Sequence, residues 1–153
     1  MSRIVSASRR TDILAYHSKT FETALKEGFI KVENPYYSSK STIVSLKRCD
    51  VDAFVFWTRN TNPSVNALRY LEENGYPSYF MITFNNYPRA LEKHSLSFDD
   101  AIAMIRNTRS LVGRERIILR YDPIILTNIT DYDFHVRNFE VICETFKKDV
   151  SQV

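Results

Sequence analysis

The chain has 153 residues, a formal net charge of +3, and 44% hydrophobic and 13% aromatic content. That length is one domain or a piece of one, with enough apolar material for a packed core. The mild charge argues against a dedicated nucleic-acid binder but leaves a phosphate-bearing partner open, and no apolar run reaches the ~20 residues that span a bilayer.

In chain order, Ile4-Val5-Ser6-Ala7-Ser8 reads as a first strand running into Arg9-Arg10-Thr11-Asp12. A helix follows from about Lys19 to Glu27, with Phe21 and Leu25 on one face and Gly28 as its stop. Phe29 to Glu33 and Thr42 to Leu46 flank an Asn-Pro and Ser-rich stretch, the pattern of a hairpin with a long loop. Ala53 to Trp57 is the second main strand. Asn62-Pro63 then opens a helix, with Asn as cap and Pro in the first turn. That helix turns Val65, Leu68 and Leu71 inward and ends at Gly75.

Tyr79 to Thr83 is the third strand. Ser97-x-x-Asp100 resembles a capping box, and Phe98, Ile102, Ile105 and Val112 form the apolar stripe of a helix closed by Gly113. Ile117 to Leu119 is the fourth strand. Thr130-Asp131 starts a last helix whose expected apolar face is Tyr132, Val136, Phe139, Cys143, Phe146 and Val150. All three glycines are used where helices end, so none remains for a P-loop or a GxGxxG turn.

Four β–α units predict a single α/β domain over residues 1–153, with a parallel sheet and a hairpin after the first helix. A whole (β/α)8 barrel takes about 250 residues. The expectation is therefore an N-terminal half-barrel or an open four-stranded sheet. A sheet with two unpaired edges invites homodimerisation.

Each of the four strands ends in charged or amide side chains, and a parallel sheet gathers such ends on one edge. Arg9 and Arg10 could grip a carboxylate or phosphate, with Asp12 as orienter or acid–base group; the plainer alternative pairs one Arg with Asp12 to hold the loop. Trp57, Arg59 and Asn60 suit a nucleoside, by stacking and hydrogen bonding, unless Trp57 is simply core. Arg120 and Asp122 interrupt an apolar run, which points to a site or to a structural salt bridge. Asn85 offers an amide to a ligand or to a turn. Arg9, Arg10, Trp57, Arg59, Asn60, Asn85 and Arg120 are thus the candidate ligand-binding residues, and Asp12 and Asp122 the candidate catalytic ones.

His17, His94 and His135 have no metal-type spacing, and Cys49 and Cys143 stand far apart. The N-terminus has no secretory pattern, so a cytoplasmic location with free thiols is expected. Neither a metal nor a cofactor is expected from this chain alone.

Together, S-A-S-R-R-T-D-I, N-P followed by V-S-L, F-V-F-W-T-R-N, the I-T-F strand and R-Y-D-P-I-I-L resemble DUF1848, a prokaryotic family of unknown function. The resemblance runs through nearly the whole chain in the same order. Where the family tends to have proline directly after F-W-T-[KR]-N, this chain has Thr61-Asn62-Pro63, which shifts the turn. The resemblance implies a longer, barrel-type protein related to radical-SAM enzymes. It would carry a [4Fe-4S] cluster on a C-terminal cysteine group and use S-adenosylmethionine. Cys49 and Cys143 do not match that group. On this reading the chain is the N-terminal part of such an enzyme and supplies anion- and nucleoside-binding residues. The alternatives are a stand-alone module for a phosphorylated metabolite or nucleic acid, or an inactive truncated fragment.

Overall fold

The computed structural model describes residues 3–34, 36–37 and 40–153. Four parallel strands, β1 (Arg3–Ser6), β4 (Val51–Thr58), β5 (Ser78–Thr83) and β6 (Ile117–Arg120), lie side by side in chain order. A separate antiparallel hairpin, β2 (Phe29–Glu33) and β3 (Ser41–Ser45), pairs Ile30 with Val44 and hangs from the first crossover. The helices are α1 (Ile13–Tyr16), α2 (Ser18–Glu27), α3 (Val65–Glu73), α4 (Phe98–Val112) and α5 (Tyr132–Phe146). None of them is long and apolar enough to cross a membrane.

Local chemistry accounts for the ends of these elements. Ser97 caps α4 by accepting the Asp100 N–H at 3.1 Å, as its position before Asp99 and Asp100 predicts. Asp131 caps α5 by accepting the Phe134 N–H at 2.8 Å. Gly28 ends α2 at φ 79° and ψ 13°, where a Cβ would meet Lys47 Cγ at 3.2 Å. Gly113 has φ 83° with an extended ψ of 150°, so it ends α4 outside the αL well expected of it. Asn62 is not the cap of α3. It begins a short 3₁₀ turn, Asn62–Ser64, and α3 starts only at Val65. The short α1 was not legible as a helix, because four residues cannot display a periodicity.

The sheet has two unequal faces. Phe54 and Phe56 of β4, Phe80 and Ile82 of β5, and Ile117 and Leu119 of β6 join one core cluster. That cluster takes Phe21 and Leu25 from α2, Leu68 and Leu71 from α3, Met104 and Ile105 from α4, and Ile142 and Phe146 from α5. Phe56 stacks on Phe80 at 5.2 Å between centroids and meets the edge of Phe21 at 5.6 Å, the arrangements aromatic rings prefer. The residues between them point the other way. Val55 stands opposite Tyr79, and Trp57, Met81 and Ile118 follow in one row. No described element covers this face: Ile4 is 67% and Tyr79 47% exposed, and the row is only half-buried. All-parallel sheets elsewhere are covered on both faces. Helices on one side, strands in chain order and a bare opposite face make a partial barrel-like α/β fold.

Helix α5 corrects the expectation most sharply. Its buried residues are His135, Asn138, Ile142 and Phe146, while Tyr132, Val136 and Phe139 are exposed. Of the expected face, Phe146 and, just beyond the helix, Val150 are buried and Cys143 is half-buried, so the expectation holds at the C-terminal end, whereas the N-terminal half turns His135 and Asn138 inward instead. Beyond α5 the chain returns beside β6. Ser151 N–H donates to Ile117 O at 2.8 Å and Leu119 N–H to Gln152 O at 2.9 Å, a parallel bridge between Ile118 and Gln152.

Candidate functional site

Parallel strands put all four carboxyl ends on one sheet edge, the edge where α/β folds bind ligands. Asp12 ties the first two ends together. One carboxylate oxygen accepts the Ala15 N–H at 3.1 Å and caps α1. The other accepts Thr58 Oγ1–H at 2.9 Å and Arg59 N–H at 2.8 Å. Thr58 Oγ1 also accepts the Asn60 N–H at 3.1 Å, and Asn60 Oδ1 accepts the Asn62 N–H at 3.0 Å. Asp12 therefore fixes where the β4 turn stands relative to the β1 loop, while Asn60 spends its carbonyl oxygen inside that turn.

Two cavities open along this braced edge. One, of about 290 Å³, is lined by Ser8, Arg9, Arg10, Trp57 and Arg59 together with Tyr16 and Thr83. The other, of about 410 Å³, shares Tyr16, Arg59 and Thr83 and adds Asn60, Glu92 and His94. Arg59 stands between the two and pairs with Glu92 at 2.5 Å. Arg10 donates to the backbone carbonyl of Glu33. Among the described residues neither Arg9 nor Arg10 has a carboxylate partner, whereas Arg59 and Arg120 both do. The first cavity thus has two arginines without an ion pair, with the Asp12 carboxylate also on its lining, beside the half-buried indole of Trp57.

The β6 end belongs to a different arrangement. Arg120 pairs with Asp122, and neither residue lines the two cavities. Asn85 is 1% exposed. Its Oδ1 accepts the Asp122 N–H at 2.8 Å, and its Nδ2–H donates to the Asp122 carbonyl at 3.1 Å. Both ends of that amide are held by backbone, just before the cis Asp122–Pro123 bond. The neighbouring Asn86 sits at φ 49° and donates to Asn138 Oδ1 at 2.7 Å. Asn138 Nδ2–H donates to Asn85 O at 2.7 Å and to Tyr121 Oη at 3.1 Å.

Tyr121 Oη lies 2.7 Å from His135 Nδ1, and His135 Nε2 lies 3.0 Å from Ile125 O. A carbonyl can only accept, so Nε2 carries a proton, and in the neutral imidazole Nδ1 is then the acceptor for the Tyr121 O–H. Tyr87 completes the set: its O–H donates to Pro123 O at 2.7 Å and its oxygen accepts the Ile125 N–H at 2.9 Å. Buried polar groups must find partners. The irregular segment from Tyr121 to Ile125 finds them in Tyr87, His135 and Asn138. That requirement is why α5 turns a polar stripe inward.

This network makes a pH prediction. Burial pushes the phenols of Tyr76, Tyr87 and Tyr121 up from their ordinary value. Tyr76 O–H is likewise a donor, to Leu46 O at 2.9 Å. A folded pKa above the unfolded value means the fold favours the neutral phenol. That stabilisation is fully present below about pH 10 and is lost as pH rises through the folded values. In an alkaline phenolate titration, these three of the nine tyrosines should ionise last, together with loss of native circular dichroism. Nine phenols ionising together at the ordinary value, with the fold intact, would contradict the hydrogen bonds described.

The candidate residues thus divide between two places. Arg9, Arg10, Trp57 and Arg59 meet at one cavity, with Asn60 in its neighbour and Asp12 bracing both. Asn85, Arg120 and Asp122 lie at the β6 end. Sequence reasoning did not find Tyr16, at the end of α1, or Glu92, and noted His94 only to weigh metal binding; Glu92 and His94 share the loop before α4 and carry no motif. It noted His135 only to weigh metal binding and did not find Tyr87 or Asn138. A polar pair three residues apart on α5 was the available signal.

Parallel strands and helices on one face make a partial barrel-like α/β fold, and a cavity lined by arginines lies at its strand ends. The chain belongs to the DUF1848 family, a domain of unknown function whose family model matches residues 4–153. No curated protein and no solved structure matches it.

Proposed function

We propose that this chain is the N-terminal, ligand-gripping part of a β/α-barrel enzyme related to radical-SAM iron–sulfur proteins, and that it holds an anionic, nucleoside-like molecule. The observation that carries the reading is the cavity where the β1, β4 and β5 ends meet. Arg9 and Arg10 line it without ion-pair partners, together with Trp57. Guanidinium groups bind phosphate and carboxylate through paired charge-assisted hydrogen bonds, and an indole offers a stacking surface to a base. The bare, apolar sheet face supports the barrel part of the reading, because a barrel interior is filled by side chains from all its strands.

The resident residues do not fit an iron–sulfur cluster. Cys49 is exposed in the turn before β4 and Cys143 lies on α5, so two thiolates on separate elements stand where a cluster needs four ligands. Burial also pushes the Cys143 thiol up, away from the thiolate form. The role assigned to this chain is therefore binding and orientation, with no step routed through a cluster.

Trp57 is the single tryptophan and reports on its own cavity. Adenosine monophosphate should change Trp57 emission and bind with a measurable heat; adenosine lacking the phosphate should bind far more weakly. Arg9→Ala and Arg10→Ala should each cut the affinity about tenfold or more, the size of a lost charge-assisted bond. Silence of both fluorescence and calorimetry toward adenosine monophosphate and inorganic phosphate would reject the reading.

A further inference from the structure

We infer that the cleft between β1 and the β2–β3 hairpin is a second compartment of the strand-end site, and that it takes the apolar part of a ligand whose anionic group rests on Arg9 and Arg10. The inference builds on the anion-binding reading above and specifies the ligand class as an amphipathic anion.

The cleft measures about 520 Å³, a usual size for a small-molecule site. Val5 and Ala7 form one wall, Ile30, Val32 and Val44 the other, and Phe21 and Leu46 lie beneath. Period-2 alternation explains the second wall. Ile30 and Val32 turn toward the cleft while Phe29, Lys31 and Glu33 are exposed. Phe21 and Leu46 are fully buried, yet Val5, Ala7, Ile30 and Val44 remain half-buried although they pack against the core. This wall keeps apolar surface in water that a ligand's tail would remove from it.

Charge then selects the kind of ligand. Arg9 and Arg10 line the cleft, while Lys31 and Glu33, the one carboxylate among its lining residues, border it from the outward-turned positions of β2. The Arg10 guanidinium donates to the Glu33 backbone carbonyl, which straps the hairpin to the β1 loop without neutralising the cation. Arg9 has no ion pair or hydrogen bond among the described residues. Both arginines also line the strand-end cavity. An anionic group held by them lies at the junction of a polar compartment and an apolar one.

Calorimetric titration of the full chain with inorganic phosphate, butyl phosphate, hexyl phosphate and octyl phosphate tests this, at concentrations where the longer esters stay monomeric. Affinity should rise about fourfold per buried methylene until the cleft is filled. Val44→Asn and Ala7→Leu, one making the cleft wall polar and the other filling it, should flatten the series while leaving the affinity for inorganic phosphate unchanged. Melting curves identify a variant that has not folded, and either variant alone decides the question. A flat series in the unsubstituted protein, with inorganic phosphate bound, overturns the cleft and leaves the anion site standing. A steep series that survives both folded variants places the tail elsewhere and overturns it too. No binding of any of the four anions overturns both readings.

Discussion

Replacing Asp12 with Ala is expected to destabilise the protein by about 3 kcal/mol, a large share of a small domain's stability. The carboxylate accepts from Ala15 N–H, Thr58 Oγ1–H and Arg59 N–H. Hydrogen bonds to a charged acceptor contribute roughly 1.5–3 kcal/mol each in protected surroundings, and loss of an N-cap costs roughly 0.5–2 kcal/mol. Asp12 is only half-buried, so water replaces part of what is lost and the sum is discounted accordingly. Thr58 is the exception: it is buried, and its hydroxyl would lose its shortest partner.

Asp12→Asn separates bracing from acid–base work. An amide keeps one acceptor oxygen and turns an NH₂ toward either Ala15 or Arg59, so one side of the brace is lost. A cost of about 1–2 kcal/mol is expected, together with weaker binding at the strand-end cavity because Arg59 is no longer fixed. Urea unfolding of both variants is the measurement. An unfolding midpoint equal to wild type in Asp12→Ala would show that the brace contributes nothing, and would return Asp12 to the list of candidate acid–base groups.

The second large effect contrasts two neighbours on β5. Phe80 is 0% exposed and stacks on Phe56. Truncation to Ala should cost about 3–5 kcal/mol, from lost burial and the cavity left behind. Tyr79, one residue away, stands on the bare face at 47% exposure. Tyr79→Lys should change stability by less than about 1 kcal/mol, because the new ammonium reaches water while its stem lies on the sheet. Equal, large losses at both positions would mean that something covers the bare face. Light scattering on the unsubstituted protein would then ask whether a second copy does so, as the apolar row of Val55, Trp57, Met81 and Ile118 and the free β1 edge would permit.

The contrast between Phe80 and Tyr79 rests on the division of the sheet into a packed face and an open one. It has a direct bearing on the site. Trp57 belongs to the open row and also lines the strand-end cavity. Any element that closes the open face would sit against the same indole that the proposed nucleoside stacks on. Asn85, Asn138 and Tyr121 lie away from that cavity and keep the segment after β6 in place.

The sequence by itself determined the parallel β–α alternation, the hairpin, the α4 cap at Ser97 and the gathering of polar strand ends on one edge. These follow from short-range rules: period-2 and 3.6 patterns, capping chemistry, and the direction a crossover imposes. It also singled out Arg9, Arg10, Trp57 and Arg59, which share a cavity. Only the tertiary structure decided what the N-terminal half of α5 turns inward, because that depended on hydrogen-bond partners for residues 85, 121 and 125 rather than on hydrophobicity. It alone separated the arginines that carry partners, Arg59 and Arg120, from those that do not. The Arg120–Asp122 pair was one of two readings the sequence offered, but Arg59 pairs with Glu92 far along the chain, and no local spacing encodes that.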